Sequence, residues 1–103
     1  MTACAVPMQR SFLVNPVDVT VEDPALGFSD ARIIADQKAM ELAQAPMLLG
    51  WYDSKRGRFS PDVACCSEEK PGWIVYAESR GGDLTIDINN EQYVFIYGDF
   101  DEA

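Results

Sequence analysis

The stretch WIVYAESRGGDLTIDINNEQYVFIY, residues 73–97, is where the fold is decided, because it is long enough to fix a register. Its centre, Gly81 and Gly82, suits the two middle positions of a type I′ turn, which needs φ > 0 at both. On that reading Arg80 pairs with Asp83, Ala77 with Ile86 and Val75 with Ile88. A second turn through Asn89, Asn90 and Glu91 leads to a third strand. Whether that turn is centred on Asn89 and Asn90 or one residue later, the parity of pairing is unchanged. The expectation is a C-terminal three-strand antiparallel meander.

Parity then sorts the side chains. Trp73, Val75, Ala77, Leu84, Ile86, Ile88, Tyr93, Phe95 and Tyr97 share an apolar face, expected to be the core side beneath a helix. The other face carries Ile74, Tyr76, Glu78, Thr85, Asp87, Val94 and Ile96. Its apolar members make a patch too large to treat as scattered surface residues. Two covers are available: the chain's own N-terminal arm or its 60–72 loop, or a second copy meeting it in an isologous dimer. Ile74, Tyr76, Val94 and Ile96 are therefore the candidate interface, and a homodimer is the expected assembly.

Outward from this stretch, Val17, Val19 and Val21 alternate with Asp18, Thr20 and Glu22, the pattern of a half-buried strand stopped by Asp23 and Pro24. Ser29 or Asp30 can cap a helix running to about Ala45, ahead of Pro46. In it Ala31, Ala35, Ala39 and Ala43 form a ridge of small residues with Leu42 beside it, suited to close packing on a sheet of aromatics. Ile33 and Met40 lie on a different side. Residues 47–60 predict a hairpin, MLLGWYD and a return strand from Arg58, with Gly57 at the left-handed position of its loop. SPDVACCSEEKPG, residues 60–72, lacks a period and is expected to be irregular, and residues 1–11 a loose arm.

Composition limits what such a sheet can do. The 103 residues suit one domain, 48% hydrophobic and 24% charged, without low-complexity tracts. Seventeen acidic against eight basic residues give a net charge of −9, which repels a phosphate backbone and speaks against nucleic-acid binding. No apolar run approaches the roughly 20 residues of a membrane span. The N-terminus lacks a basic and an apolar signal region, so a cytoplasmic location is expected. There is no histidine. That removes histidine general acid–base chemistry, Ser/His/Asp and Cys/His nucleophile systems and histidine metal ligation.

Three groups of residues are candidates for chemistry. Cys65 and Cys66 are vicinal thiols, but a zinc site wants CxxC pairs and four ligands, and adjacent cysteines join only with backbone strain. Cys4 is the remaining thiol; an odd number suits a reducing compartment, and buried structural cysteine is the simpler reading. Asp83, Asp87 and Glu91 cluster on the last hairpin, and Asp87, Asn89 and Glu91 resemble the start of a calcium loop. Gln92 stands where such a loop needs glycine, and a strand follows. Lys55, Arg56 and Arg58 form a basic turn in an acidic chain and could clasp an anion, with Trp51, Tyr52 and Phe59 beside them if these face solvent. No metal and no cofactor is implied.

The run from MLLGWYDSKRGRFSPDVACC through KPGWIVYAESRGGDLTIDINNEQYVFIY resembles a family of small prokaryotic proteins known only as a domain of unknown function. The match covers about residues 17–98, with YAESRGGDL its most specific piece, and it brings no activity or functional residue. The expected fold is two-layer α+β: an antiparallel sheet of five or six strands with one long helix on one face. The expected function is a non-enzymatic interaction or assembly module that self-associates through the second sheet face. The alternative is a small-ligand or anion-binding protein, or a minor enzyme, using the Cys65/Cys66 loop and the Lys55–Arg58 turn.

Overall fold

A computed structural model describes residues 9–60 and 71–99. Its elements in chain order are a 3₁₀ turn (Arg10–Phe12), β1 (Pro16–Val19), α1 (Phe28–Leu42), β2 (Pro46–Asp53), β3 (Arg58–Ser60), α2 (Gly72–Ser79), β4 (Leu84–Ile88) and β5 (Tyr93–Asp99). The five strands form one sheet in the order β1-β4-β5-β2-β3. The architecture is α+β, with two helices where one was expected.

The main correction concerns residues 72–79, which are helix and not strand. Trp73, Ile74 and Ala77 are buried while Val75 is exposed, the i, i+1, i+4 spacing of a helix face rather than the alternation of a strand. Gly81 and Gly82 close that helix. The Gly82 N–H donates to Ala77 O at 2.9 Å and the Gly81 N–H to Glu78 O at 3.1 Å, the paired bonds of a Schellman cap, with Gly81 at φ 96°. A short apolar run rich in aromatic and β-branched residues fits a strand and a buried helix equally, and glycine pairs serve both ends.

The sheet is also mixed rather than antiparallel. β1 pairs with β4 in parallel, Val17 opposite Ile86 and Val19 opposite Ile88. Parallel neighbours need a long crossover, and here α1, β2, β3 and α2 lie between them in sequence. The other pairings are antiparallel. β4 and β5 keep the expected parity, with Ile86 opposite Phe95 and Ile88 opposite Tyr93, and β2 and β3 form the expected hairpin, with Tyr52 opposite Phe59. Gly57 has φ 64° in its loop.

α1 covers one face. Ala31, Ala35 and Ala39 are fully buried against Ile86, Ile88, Tyr93, Phe95 and Tyr97, because a ridge without side-chain bulk lets the helix approach an aromatic sheet closely. Phe28 at its first turn packs on Trp51, ring centroids 4.5 Å apart, and on Phe95 at 5.5 Å. The helix starts earlier than expected, with Gly27 as its N-cap and Asp30 in its first turn.

α2 covers the other face. Trp73, Ile74 and Ala77 bury against Val94, Ile96 and Leu13, with Phe12, Leu49 and Tyr52 packed around them. Tyr52 and Trp73 stack with planes 6° apart and centroids 6.0 Å apart. The patch assigned to a partner copy is therefore closed within the chain: Ile74 and Val94 are wholly buried and Ile96 nearly so.

Candidate functional site

Among the described residues, three places that bring polar groups together stand out. The first is the turn between β2 and β3. Its three basic residues diverge instead of converging on one anion. Lys55 Nζ donates to Leu26 O at 3.0 Å and lies 5.9 Å from the centre of the Tyr93 ring. Buried Asp53 caps the turn, its Oδ1 accepting the Lys55 N–H at 3.0 Å and the Arg56 N–H at 3.3 Å, an Asx turn of the usual kind. Arg58 points elsewhere. It is exposed, forms no ion pair among the described residues, and lines a cleft of about 400 Å³ with Trp51, Gly57 and Phe59. That volume lies within the range of small-molecule sites. Trp51 is half-buried, its inner edge held by Phe28, so one aromatic face and one guanidinium are fixed at the cleft by β2 and β3.

The second is a charge cluster at the opposite edge of the sheet. Asp87, fully buried on β4, accepts from Arg10 Nη1 at 2.6 Å; the same guanidinium contacts Asp18 at 2.6 and 3.0 Å and Glu91 at 3.7 Å. One cation, from the 3₁₀ turn, thus serves three carboxyl groups, from β1, β4 and the β4–β5 turn. Burial pushes the Asp87 carboxyl up to about 7, with the neighbouring Glu91 side chain raising it further and the Glu91 N–H and Arg10 opposing. The hydrogen bond to Asp18 leads in raising Arg10 above its ordinary value. Thr85, on the same strand face, has a buried hydroxyl without a hydrogen-bond partner among the described residues.

The third is a smaller cleft of about 250 Å³ lined by Arg32, Asp36, Met40, Pro46, Leu48 and Tyr97. The Tyr97 hydroxyl donates to Asp36 Oδ1 at 2.6 Å, and Arg32 Nε stands 3.7 Å from Asp36 Oδ2. Burial, then the Asp36 carboxylate, raises Tyr97 well above the usual phenol range, so it stays a hydrogen-bond donor.

Of the three basic residues singled out in the sequence, Arg58 lines the cleft beside Trp51. Ile74, Val94 and Ile96 are core; Tyr76 is partly buried, with the Arg80 guanidinium 5.0 Å from its ring centre. Cys4, Cys65 and Cys66 lie outside the described residues. Asp87 and Glu91 do meet, whereas Asp83 serves the backbone, its N–H donating to Tyr97 O at 3.1 Å. Among the described residues no group of three Cys, Asp or Glu side chains could hold a metal ion, and no helix is long and apolar enough to cross a membrane. Arg10 and the Tyr97–Asp36 pair were missed. The available signal for Arg10 was a lone arginine in the arm of an acidic chain, whose partner is 77 residues away.

The chain is similar to an uncharacterized protein of Archaeoglobus fulgidus, 47% identical over 49 residues, which is 48% of this chain and 52% of that protein. It thus matches about half the length of that curated relative. The fold is similar to a crystal structure of a novel protein from the same archaeon, with a TM-score of 0.73 at 30% identity, covering 88% of this chain and all of the other. Residues 14–97, the span from just before β1 to β5, match one family model, and the chain belongs to that family, the domain of unknown function DUF5619.

Proposed function

We propose that this protein is a small non-enzymatic binding module whose cleft beside Trp51 and Arg58 takes a small anionic ligand with a flat apolar body. The carrying observation is the roughly 400 Å³ cleft that joins an indole, a phenyl ring and an exposed guanidinium. An aromatic wall supplies contact area at little conformational cost, and a guanidinium pairs with a carboxylate or phosphate in a directed way. In a chain of net charge −9 a lone exposed arginine at a cleft favours anions locally while the rest of the surface discourages polyanions. The odd cysteine count supports a reducing compartment, and a cytoplasmic location is part of this reading.

Tryptophan fluorescence titrated with benzoate and with inorganic phosphate tests it. A saturable change with benzoate at a Kd of about 1 mM or tighter, weakened at least about tenfold by Arg58→Gln, is the expected result. No saturable change with either probe overturns it. A second reading, self-association, is supported by a different surface from the one first expected: Ile33 and Met40, on the outer side of α1, are 55% and 70% exposed. A dimeric sedimentation mass that Met40→Glu converts to a monomer would favour it, and a monomeric mass at high concentration would end it.

A further inference from the structure

The smaller cleft lies between α1 and the start of β2, with β5 beneath it. Tyr97 of β5 and Leu48 of β2 stand opposite one another in register there, and Tyr97 is 2% exposed. Its hydroxyl donates to Asp36 Oδ1 at 2.6 Å. That bond fixes the carboxylate from the core side and leaves Oδ2 without a hydrogen bond among the described residues. Arg32, one helical turn earlier on the same side of α1, brings a guanidinium to the same cleft. Its Nε stands 3.7 Å from Asp36 Oδ2, beyond hydrogen-bond distance, and the guanidinium makes no hydrogen bond among the described residues. An ordinary surface pair is mobile at both ends and contributes little. Here a buried phenol pins one member, and the two charges stand side by side without closing on each other.

We propose that this cleft binds a free aliphatic α-amino acid, the Arg32 guanidinium taking its carboxylate and Asp36 Oδ2 its ammonium. Neighbouring opposite charges match a ligand that carries its own two charges on one carbon, and each contact is a charge-assisted hydrogen bond. The orientation is set by chemistry, because a guanidinium only donates and an ionised carboxylate only accepts. Pro46, Leu48 and Met40 make the rest of the lining apolar. Met40 is 70% exposed, and an unbranched thioether can lie along aliphatic side chains of different shape. Size sets the upper limit. The volume of about 250 Å³ corresponds to about eight waters at roughly 30 Å³ each, which suits valine or leucine and is small for a nucleotide. The site shares no lining residue with the Trp51 cleft and stands independently of the reading given to that cleft.

Titration of the ¹⁵N-labelled full chain with L-leucine tests this. The amide signals of Arg32, Asp36, Met40 and Leu48 should move and saturate, with a Kd of about 1 mM or tighter, while those of Trp51 and Arg58 stay in place. The analogue 4-methylpentanoate lacks the ammonium and isopentylamine lacks the carboxylate, so each should bind at least about tenfold more weakly. Asp36→Asn and Arg32→Gln should each weaken leucine by a similar factor. Absence of saturable shifts, shifts centred on Trp51 and Arg58 instead, or an analogue that binds as tightly as leucine overturns the proposal. Leucine binding that both variants leave unchanged does so too. The shift map of the natural chain and the two analogues decide the matter even where a variant folds poorly.

Discussion

Two segments of nearly the same composition take opposite structures. WIVYA, residues 73–77, is helix, and YVFIY, residues 93–97, is the central strand of the sheet. Both are aromatic and β-branched, and both lose nearly all contact with water at several positions. What separates them is punctuation. The first follows Pro71 and ends in a Schellman cap on Gly81 and Gly82, so its backbone bonds are satisfied locally. The second is entered through Asn89, Asn90 and Glu91 and finds strands on both sides. Intrinsic preference for strand is weak enough for tertiary packing to override it in the first segment.

The largest expected effect comes from the two anchors. Trp73→Ala and Phe95→Ala should each cost about 3–5 kcal/mol in chemical denaturation, since each empties a filled core on its own face of the sheet. Extended rather than helical Cα shifts for residues 73–79 would break the comparison outright. Next is pH. The folded Asp87 carboxyl, raised from 3.8 to about 7, keeps a proton that the unfolded chain has already released. Stability from this group is therefore full below about pH 4 and falls as pH rises through about 7, by at most about 4 kcal/mol. A denaturation midpoint that rises over that window in the natural chain would contradict it.

The glycine cap should respond less. A Cβ at Gly82 would meet Ala77 O at 2.8 Å and Ile96 Cγ2 at 2.9 Å, so Gly82→Ala should cost about 2–3 kcal/mol. Gly81→Ala, at φ 96°, should cost about 1–2 kcal/mol through the backbone alone. A type I′ hairpin would not show this order, because the cost at Gly82 depends on the Ala77 carbonyl being turned toward it. Smallest is Thr85→Val, which removes an unpartnered buried hydroxyl at constant shape. It should be neutral or stabilising by up to about 1 kcal/mol.

Much of the α1 side was legible in the sequence. The Val17, Val19, Val21 alternation, the alanine ridge, the Gly57 hairpin and the Ile86/Phe95 register all rest on local periodicity or turn chemistry, which a sequence displays directly. The α2 side was not. Residues 73–77 carry no period that distinguishes eight residues of buried helix from a buried strand, and one wrong assignment exposed a face that the chain in fact covers. The charge cluster was illegible for another reason. Asp87 and Glu91 are near neighbours in sequence, but Arg10 reaches them only through the parallel β1–β4 pairing, a long-range choice that no short window reports. At the cleft, Arg58 and Trp51 were within view, but which of three basic residues faced it depended on the cap that Asp53 makes.

The strand order has a consequence for how the chain comes off the ribosome. β5 lies at the centre of the sheet, between β4 and β2, yet it is the last strand in sequence. Neither helix has a completed floor until Tyr93–Asp99 has been translated, and β1, made first, waits for β4. A nascent chain halted at Asn89 would hold α1, α2 and the β2–β3 hairpin with their apolar sides open. Such a chain is expected to be prone to association, since the apolar surface that β5 covers on both faces would be open. A chain truncated before Tyr93 is accordingly expected to be cut faster in limited proteolysis than the full chain, because both helices lose the strand they pack on.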